Sequence, residues 1–392
     1  MEKQGNQASI KFYDNKVIKS YNNKPVNKMS SLDNDLYHLN MFKDNIHCIK
    51  FFNPNDSGYE MERLDFSLGN PKKIFEDNVR RMLFTIPESE VLKQLNGIEN
   101  VLKEKGINHR DINPGNLLFS EKSKIIKLID FYWTISKGHE VGTPGGLNGF
   151  YKDDHSAFNR IKTEISEISK RVNKQIKNTK KVLSHMGETW YEGSAKRKGK
   201  TYHRIDIPYF NDMFFHRNID SEVKEVLSLI TGKVNQVIDI GCAGGFYLFN
   251  LIRNYYLKKA IGYEADPIMN QALCNIKKIF ALEMLEIKNK IIGDTIFENV
   301  NDVAIYMNIH MWIYKQLGKE SDIVLSNLIK SSRQIFFQTA GLESNGMFLD
   351  KRMKDKETIQ DYLLKVGNEK KVEFIRTTKL HGGKRHLFKI GD

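Results

Sequence analysis

The chain has 392 residues, of which 40% are hydrophobic and 28% are charged, and this length predicts two domains that can each bury a core. No apolar run approaches the roughly 18 residues of a membrane-spanning helix, the N-terminus lacks an apolar signal segment, and three scattered cysteines exclude a disulfide framework or a zinc site; together these features predict a cytoplasmic protein. The net charge of +13 favours anionic partners, among them nucleotides, phosphorylated glycans, nucleic acid and an anionic inner membrane face to which the protein would bind peripherally.

Short strands separated by polar residues are predicted for the first part of the chain. They are Ile10 to Tyr13, Val17 to Tyr21, Ile46 to Phe52 and Tyr59 to Leu64. A helix is predicted from Glu88 to Lys105, because apolar residues recur on one face and a glycine follows. The loop 109–116 comes next, and a hairpin formed by 116–120 and 125–130 follows it.

A long amphipathic helix is predicted from Ser156 to Met186, since apolar residues recur every three or four positions among Lys, Arg and Glu. It would hold two sites apart or mediate formation of a homo-oligomer. After a basic loop to Arg204, the order helix, strand, glycine turn, helix, strand over 222–264 is typical of a parallel α/β sheet. The predicted domains are 1–165, a helical, basic connector over 166–204, and 205–392.

Residues suited to phosphoryl transfer lie in the first domain. The loop His-Arg-Asp-Ile-Asn-Pro-Gly-Asn, 109–116, carries Asp111 and Asn116, and Asp130 ends the apolar strand that follows. Phosphoryl transfer from ATP needs a carboxylate that orients the acceptor hydroxyl, oxygen ligands for Mg²⁺ and a cation for the nonreacting phosphates. Asp111 is the candidate catalytic carboxylate, Asn116 and Asp130 are candidate metal ligands, and Lys19 on an early strand is the candidate cation.

This order of motifs resembles the protein-kinase-like fold, an α+β fold, over roughly residues 5–165. The resemblance implies that Tyr-Glu-Met-Glu-Arg-Leu, 59–64, is the hinge whose backbone holds the adenine of ATP. Glu60, Met61 and Glu62 are therefore candidate cofactor-binding residues.

The same resemblance implies two supporting roles. Asp154 would support the catalytic loop, and a helix over 30–42 would pair with Lys19. That segment contains no glutamate, so Asp33 or Asp35 would take its place. His109 is expected to pack the loop.

Two departures from the protein-kinase pattern indicate which type of kinase the chain resembles. Asn113 stands where Ser/Thr protein kinases have a lysine, and Asp130 is followed by Phe-Tyr in place of Phe-Gly. The chain in this respect resembles the small-molecule and lipopolysaccharide sugar kinases of the same fold. A pseudokinase is the alternative, although both metal-ligand positions and the catalytic carboxylate are filled.

A glycine turn defines a second candidate site. Gly241, Gly244 and Gly245 follow an apolar strand and allow a ligand to approach the backbone closely. Asp239 lies at the end of that strand, near the position of a charged ligand tail. Glu264, at the end of the next strand, is placed to accept hydrogen bonds from ribose hydroxyls. A turn of this kind also fits dinucleotide binding.

The form Asp-x-Gly-x-x-Gly followed by Glu-Ala-Asp-Pro resembles the class I S-adenosylmethionine-dependent methyltransferases, which have a Rossmann-like α/β fold, over about 205–390. The resemblance implies S-adenosyl-L-methionine as cofactor, with Asp294 near the adenine and the strand 302–310 ending by the methyl group. His310 is the candidate catalytic base, and a packed core histidine is the alternative.

Motifs for amine or base methylation are absent, which leaves an oxygen acceptor, and an anionic oxygen would need little help from a base.

A kinase domain and a methyltransferase domain in one chain resemble, in content, the bifunctional enzymes that terminate bacterial O-antigen by phosphorylating the end sugar and methylating that phosphate. The order of the two domains is reversed here. The predicted function is phosphorylation of a glycan or small-molecule hydroxyl and methylation of the product. Candidates to hold the phosphate at the second site are Arg204, Arg217, Lys384 and Arg385. The alternatives are an RNA- or protein-directed enzyme, suggested by the basic 170–200 region, and a pseudokinase scaffold attached to an active methyltransferase.

Overall fold

A computed structural model describes most of the chain as two compact units, Met1–Lys174 and Gln175–Asp392. The described residues are 2–4, 8–13, 16–21, 31–69, 72–139, 153–185, 201–213, 215–290, 301–340, 350–367, 370–380 and 383–392. Asp294 and the basic stretch 187–200 lie outside them.

The first unit begins with an antiparallel sheet in the strand order β1-β2-β3-β5-β4. The bounds are β1 Glu2–Gln4, β2 Ala8–Phe12, β3 Lys16–Tyr21, β4 Phe51–Asn55 and β5 Gly58–Glu62. Helix α1, Ser31–Phe42, lies between β3 and β4 in the chain. The strand predicted from Ile46 begins only at Phe51, because turns occupy the chain before it.

Helices and short strands complete this unit. The bounds are β6 Phe66–Ser67, α2 Lys72–Thr85, α3 Glu88–Glu104, β7 Ile107–Asn108, β8 Leu117–Ser120, β9 Ile125–Leu128 and β10 Ile135–Ser136. Strands β6, β8 and β9 form one small antiparallel sheet, and β7 pairs with β10. The face of α3 that carries Val91, Leu95, Ile98 and Leu102 is buried, as its periodicity predicts.

Helix α4, Asp154–Leu183, confirms the long amphipathic helix. The boundary between the two units falls inside it, after Lys174, rather than at the predicted domain end. Its apolar stripe is almost fully buried, with exposures of 4% or less at Ile161, Ile165, Ile168, Val172, Ile176 and Leu183. The stripe is therefore buried, and self-association through this helix stays a prediction.

The second unit is an α/β unit, as the sequence predicts. Its bounds are β11 Thr201–His203, β12 Phe215–Arg217, α5 Asp220–Leu229, β13 Gln236–Ile240, α6 Phe246–Asn254, β14 Lys259–Tyr263, α7 Pro267–Ile279, β15 Leu285–Lys288, β16 Asn301–Met307, α8 His310–Leu317, α9 Ser321–Lys330, β17 Ser332–Ala340, α10 Lys356–Gly367, β18 Val372–Leu380 and β19 Gly383–Gly391. The main sheet has the order β15-β14-β13-β16-β17-β19-β18, and β19 runs antiparallel to both of its neighbours.

The strand order reverses at β13. From this strand the chain continues to β14 and β15 on one side, and it then returns to β16 on the other side. In open α/β sheets, ligands bind outside the carboxyl ends of the strands at such a switch point. The chain segments after β13 and β16 are therefore where this fold offers a crevice. Within the described residues, no helix has the length and apolar character needed to cross a membrane.

Candidate active sites

The loop that carries Asp111 is held by a partly buried carboxylate. Asp154, at the start of α4, accepts the backbone N–H groups of His109 at 2.6 Å and Arg110 at 2.8 Å. These bonds hold Arg110 in a left-handed conformation with φ of 63°, which a non-glycine residue adopts only under constraint. His109 is fully buried, and its ring packs against Phe131 with the centroids 4.8 Å apart. The supporting role of Asp154 and the packing role of His109 are both confirmed.

Two side-chain amides bind the Asp111 carboxylate. Asn113 Nδ2 donates to Oδ1 at 2.8 Å, and Asn116 Nδ2 donates to Oδ2 at 3.0 Å. An ionised carboxylate only accepts hydrogen bonds, so the amide nitrogen of Asn116 must face Asp111, which leaves the amide oxygen for another partner. Burial raises the pKa of Asp111, and the charge of Asp130 adds to this effect. A raised pKa suits a group that receives a proton from an acceptor hydroxyl.

Lys19 places its ammonium group between two carboxylates. Its Nζ lies 2.8 Å from Asp35 Oδ2 and 3.0 Å from Asp130 Oδ1. Asp35 on α1, and not Asp33, thus pairs with the lysine. Burial alone would lower the pKa of Lys19, but the charges of Asp130 and Asp35 outweigh burial and raise it, so the ammonium stays charged. Asp130 keeps 38% of its side chain exposed and is the carboxylate that can reach a bound ligand.

The predicted hinge lies mostly inside a strand. Glu60, Met61 and Glu62 belong to β5, which pairs with β3 on one side and β4 on the other. The N–H of Glu62 donates to the carbonyl of Lys50 at 2.9 Å. The prediction that their backbone holds adenine is therefore wrong for Glu60 and Met61, because the sheet uses that backbone. A base could reach backbone groups only at the end of β5, from Glu62 towards Arg63.

The glycines of the turn after β13 are required by the packing of the chain itself. A Cβ on Gly241, which has φ of 70°, would lie 2.7 Å from the side chain of Ile309. A Cβ on Gly245, with φ of 72°, would lie 2.8 Å from the ring of Phe249, and one on Gly244 would lie 3.3 Å from a backbone carbonyl. The turn thus needs glycine before any ligand is considered.

We expect Gly241→Ala to destabilise the protein more than Gly106→Ala. Gly106, which follows α3, also has a positive φ, of 62°, but a Cβ there would meet nothing within 4 Å. Gly106→Ala should cost about 1–2 kcal/mol of unfolding free energy from backbone strain, and Gly241→Ala should add about 1–3 kcal/mol from the clash with Ile309. Denaturant unfolding of both variants measures the difference. Equal losses would mean that the Ile309 side chain moves aside at no cost.

Two acidic side chains lie beside this turn. Asp239 is 2% exposed, and its Oδ2 has no hydrogen-bond partner in the part of the chain that the structure describes. Glu264 Oε2 accepts the N–H of Ala243 at 2.8 Å, which ties the turn to the end of β14, and Oε1 accepts the N–H of Asp266 at 2.8 Å. Burial raises the pKa of both carboxyl groups, and the charge of Glu264 raises that of Asp239 further. Such a pair fits a ligand that brings an ammonium group and hydroxyl donors.

His310 does not line the crevice. Although it begins α8 three residues after the end of β16, its imidazole is 0% exposed and lies among Tyr306, Phe337 and Tyr362. Its Nε2 is 3.6 Å from Asp350 Oδ2, which is an ion-pair distance rather than a hydrogen bond. The catalytic prediction for His310 is wrong in this conformation, because a core imidazole cannot contact a substrate; its contacts are those of the packed alternative.

Sequence analysis missed Asn308, the residue that follows β16. Its Nδ2 donates to Gln338 Oε1 at 2.6 Å, Gln338 Nε2 donates to Glu222 Oε2 at 3.0 Å, and the Tyr247 hydroxyl donates to Glu222 Oε1 at 2.7 Å. Because the carboxylate only accepts, it fixes the direction of both amides. Asn308 Oδ1 is thereby left as a buried acceptor with no partner among the described residues. These residues come from separate segments, and no local pattern signals their contact.

The basic residues proposed to hold a phosphate differ in their surroundings. Arg204 lies 3.0 Å from a carboxylate oxygen of each of Asp206 and Asp220, so two acidic groups already bind it. Arg385, with Lys384 beside it, faces the last residue of β17 in the sheet. The Arg217 side chain lies outside the described part.

No protein-family model matches the sequence, and no curated protein matches it. Among solved structures, the bifunctional kinase-methyltransferase WbdD matches at 16% identity over 54% of this chain and 46% of that chain, with a TM-score of 0.43. EvdMO1 matches at 13% identity over 46% of this chain and 42% of that chain, with a TM-score of 0.38. The methyltransferase domain of bacterial CtHen1-CN matches at 14% identity over 45% of this chain and 100% of that chain, with a TM-score of 0.35. The chain spans less than half the length of the first two proteins.

Proposed function

We propose that the chain is a bifunctional transferase, with an ATP-dependent kinase site in the first unit and an S-adenosyl-L-methionine-dependent O-methyltransferase site in the second. The substrate class is a glycan or another small molecule with a free hydroxyl. The proposal rests on one observation. The first unit holds the polar side chains that phosphoryl transfer needs, and the second unit holds those that suit a methyl donor.

The first unit supports kinase chemistry of the protein-kinase-like type. Bound Mg²⁺·ATP would supply the phosphoryl group, held by Asp130, the amide oxygen of Asn116 and the Lys19 ammonium. Asp111 would orient the acceptor hydroxyl and receive its proton. Among the described residues, no cluster of three or more acidic, histidine or cysteine side chains could hold a metal by itself.

The second unit supports methyl transfer on a class I methyltransferase fold. S-adenosyl-L-methionine would supply an electrophilic methyl group at the switch point of the sheet. Asp239, whose buried Oδ2 has no partner among the described residues, suits the ammonium group of this ligand, and Glu264 suits its ribose hydroxyls. Asn308, which follows the neighbouring strand β16, offers a buried acceptor oxygen.

The phosphate that the first site installs is our proposed methyl acceptor. A phosphate oxygen already carries the negative charge of a nucleophile, so it needs alignment with the methyl group rather than a strong base. The burial of His310 removes the predicted base from the crevice, which favours an acceptor of this kind. A neutral hydroxyl of the same substrate is the competing acceptor.

Labelled substrates test the proposal. The protein would be incubated with ATP labelled on its γ-phosphate and with methyl-labelled S-adenosyl-L-methionine, against separate glycan, RNA and protein pools. We expect one glycan or small-molecule product to carry both labels. Double labelling confined to RNA or protein would contradict the substrate class, and methyl label without phosphate label would indicate a pseudokinase.

A further inference from the structure

A buried aspartate in the first unit accepts hydrogen bonds from four donor groups. Asp35, which is 0% exposed, accepts hydrogen bonds at Oδ2 from Lys19 at 2.8 Å, from the Tyr59 hydroxyl at 2.7 Å and from the Tyr21 hydroxyl. Its Oδ1 accepts the N–H of Phe131 at 2.8 Å. Phe131 directly follows Asp130, so one carboxylate fixes both the lysine and the segment that carries the candidate metal ligand.

The two tyrosines also enclose the lysine. The Lys19 ammonium lies 4.9 Å from the ring centroid of Tyr21 and 5.8 Å from that of Tyr59, and these tyrosines are 7% and 2% exposed. Each ring therefore faces the cation while its hydroxyl binds the anion. Burying a carboxylate costs free energy unless its oxygens accept hydrogen bonds. The two tyrosine hydroxyls donate such bonds to Asp35 without adding charge.

This arrangement decides how Lys19 can be used. An ammonium group has three N–H donors, and Asp35 and Asp130 take two of them. Because Tyr21 and Tyr59 supply further donors to Asp35, the carboxylate does not depend on Lys19 alone. The lysine can therefore turn an N–H towards a phosphate while Asp35 stays fixed.

We propose that Tyr21 and Tyr59 are positioning residues for the nucleotide phosphates, acting through Asp35 on Lys19. The inference rests on the proposed kinase function. Without the hydroxyls, Asp35 would bind Lys19 more closely and lose its fixed orientation, and the ammonium would no longer be directed at the phosphates. The adenosine part of the nucleotide would be unaffected, because it does not reach these groups.

The test compares two ligands on the full-length protein. Isothermal titration calorimetry would measure the affinity for Mg²⁺·ATP and for adenosine, which lacks phosphates, in wild type, Tyr21→Phe, Tyr59→Phe and the double variant. Phenylalanine keeps the ring and removes only the hydroxyl. We expect the double variant to bind Mg²⁺·ATP about tenfold more weakly, which corresponds to about 1.4 kcal/mol, while adenosine affinity stays within about twofold of wild type. Tyr13→Phe, at an exposed tyrosine of the same sheet region, is the control and should change neither affinity.

The results that would overturn this inference differ from the result that would contradict the proposed kinase function. Wild-type affinity of the double variant for Mg²⁺·ATP would overturn the inference, and so would a parallel loss of both ligands, because that pattern describes a purely structural role. If the double variant does not fold, the single variant Tyr59→Phe decides by the same comparison. A wild-type protein that binds neither ligand would instead contradict the proposed kinase function.

Discussion

Asp111→Asn is expected to reduce phosphoryl transfer by about 10²- to 10⁴-fold, the range that a positioned general base contributes. The substitution keeps the shape of the side chain but removes the charge that orients the acceptor hydroxyl and receives its proton. Mg²⁺·ATP binding should persist, because Lys19 and Asp130 are unchanged. Binding of S-adenosyl-L-methionine should also persist, because the second unit is untouched. Rates of ATP consumption with a glycan acceptor pool, together with calorimetry of both ligands, measure the effect.

The control for this variant is Asp56→Asn, which neutralises an exposed aspartate of the same unit. It should leave transfer and binding at wild-type values. ATP consumption by Asp111→Asn at the wild-type rate would exclude Asp111 as the acceptor-orienting carboxylate.

Asp239→Asn is expected to weaken binding of S-adenosyl-L-methionine and, at the same time, to stabilise the ligand-free protein. Burial, with the charge of Glu264, raises the pKa of Asp239 in the folded state. The folded protein then binds more protons than the unfolded chain at pH values between the ordinary and the raised pKa, so its stability falls as the pH rises through that window. Asparagine carries no charge, so the variant does not lose stability in this way as the pH rises. We expect a gain of about 1–3 kcal/mol in unfolding free energy near neutral pH, and a loss of about 1.5–3 kcal/mol in ligand binding.

Denaturant unfolding between about pH 5 and pH 8 measures the stability effect. The decline of wild-type stability with rising pH should be smaller in Asp239→Asn, whereas Asp361→Asn, at an exposed aspartate of α10, should follow the wild type. A variant that is less stable than wild type at neutral pH would show that the Asp239 carboxylate is already paired in the free protein.

The parts of the structure that depend on local pattern were predictable. The helical period of α4, the glycine turn after β13 and the chain order of Lys19, Asp111 and Asp130 all follow from residue type and spacing. Helix α2 was missed although its buried Phe75 and Val79 have helical spacing, because the preceding segments indicated strands and the residues between are polar.

The remaining features depend on contacts between distant segments. The choice of Asp35 over Asp33 follows from which face of α1 meets β3. The hinge prediction failed because neighbouring strands occupy both edges of β5, a fact that no local pattern records. His310 stands at the end of a strand, where a catalytic residue is plausible, but α8 turns its ring into the core. The direction of the Asn308 amide depends on Glu222, which is far away in the sequence.

The claim that one chain carries two independent transferase sites is tested most directly by calorimetric titration of the full-length protein with Mg²⁺·ADP and with S-adenosylhomocysteine, each alone and after saturation with the other. Our account predicts that one molecule of each binds per chain without competition. It further predicts that Asp130→Asn weakens only the nucleotide and Asp239→Asn only S-adenosylhomocysteine. Competition between the two ligands, or failure of either to bind the wild-type protein, would contradict it.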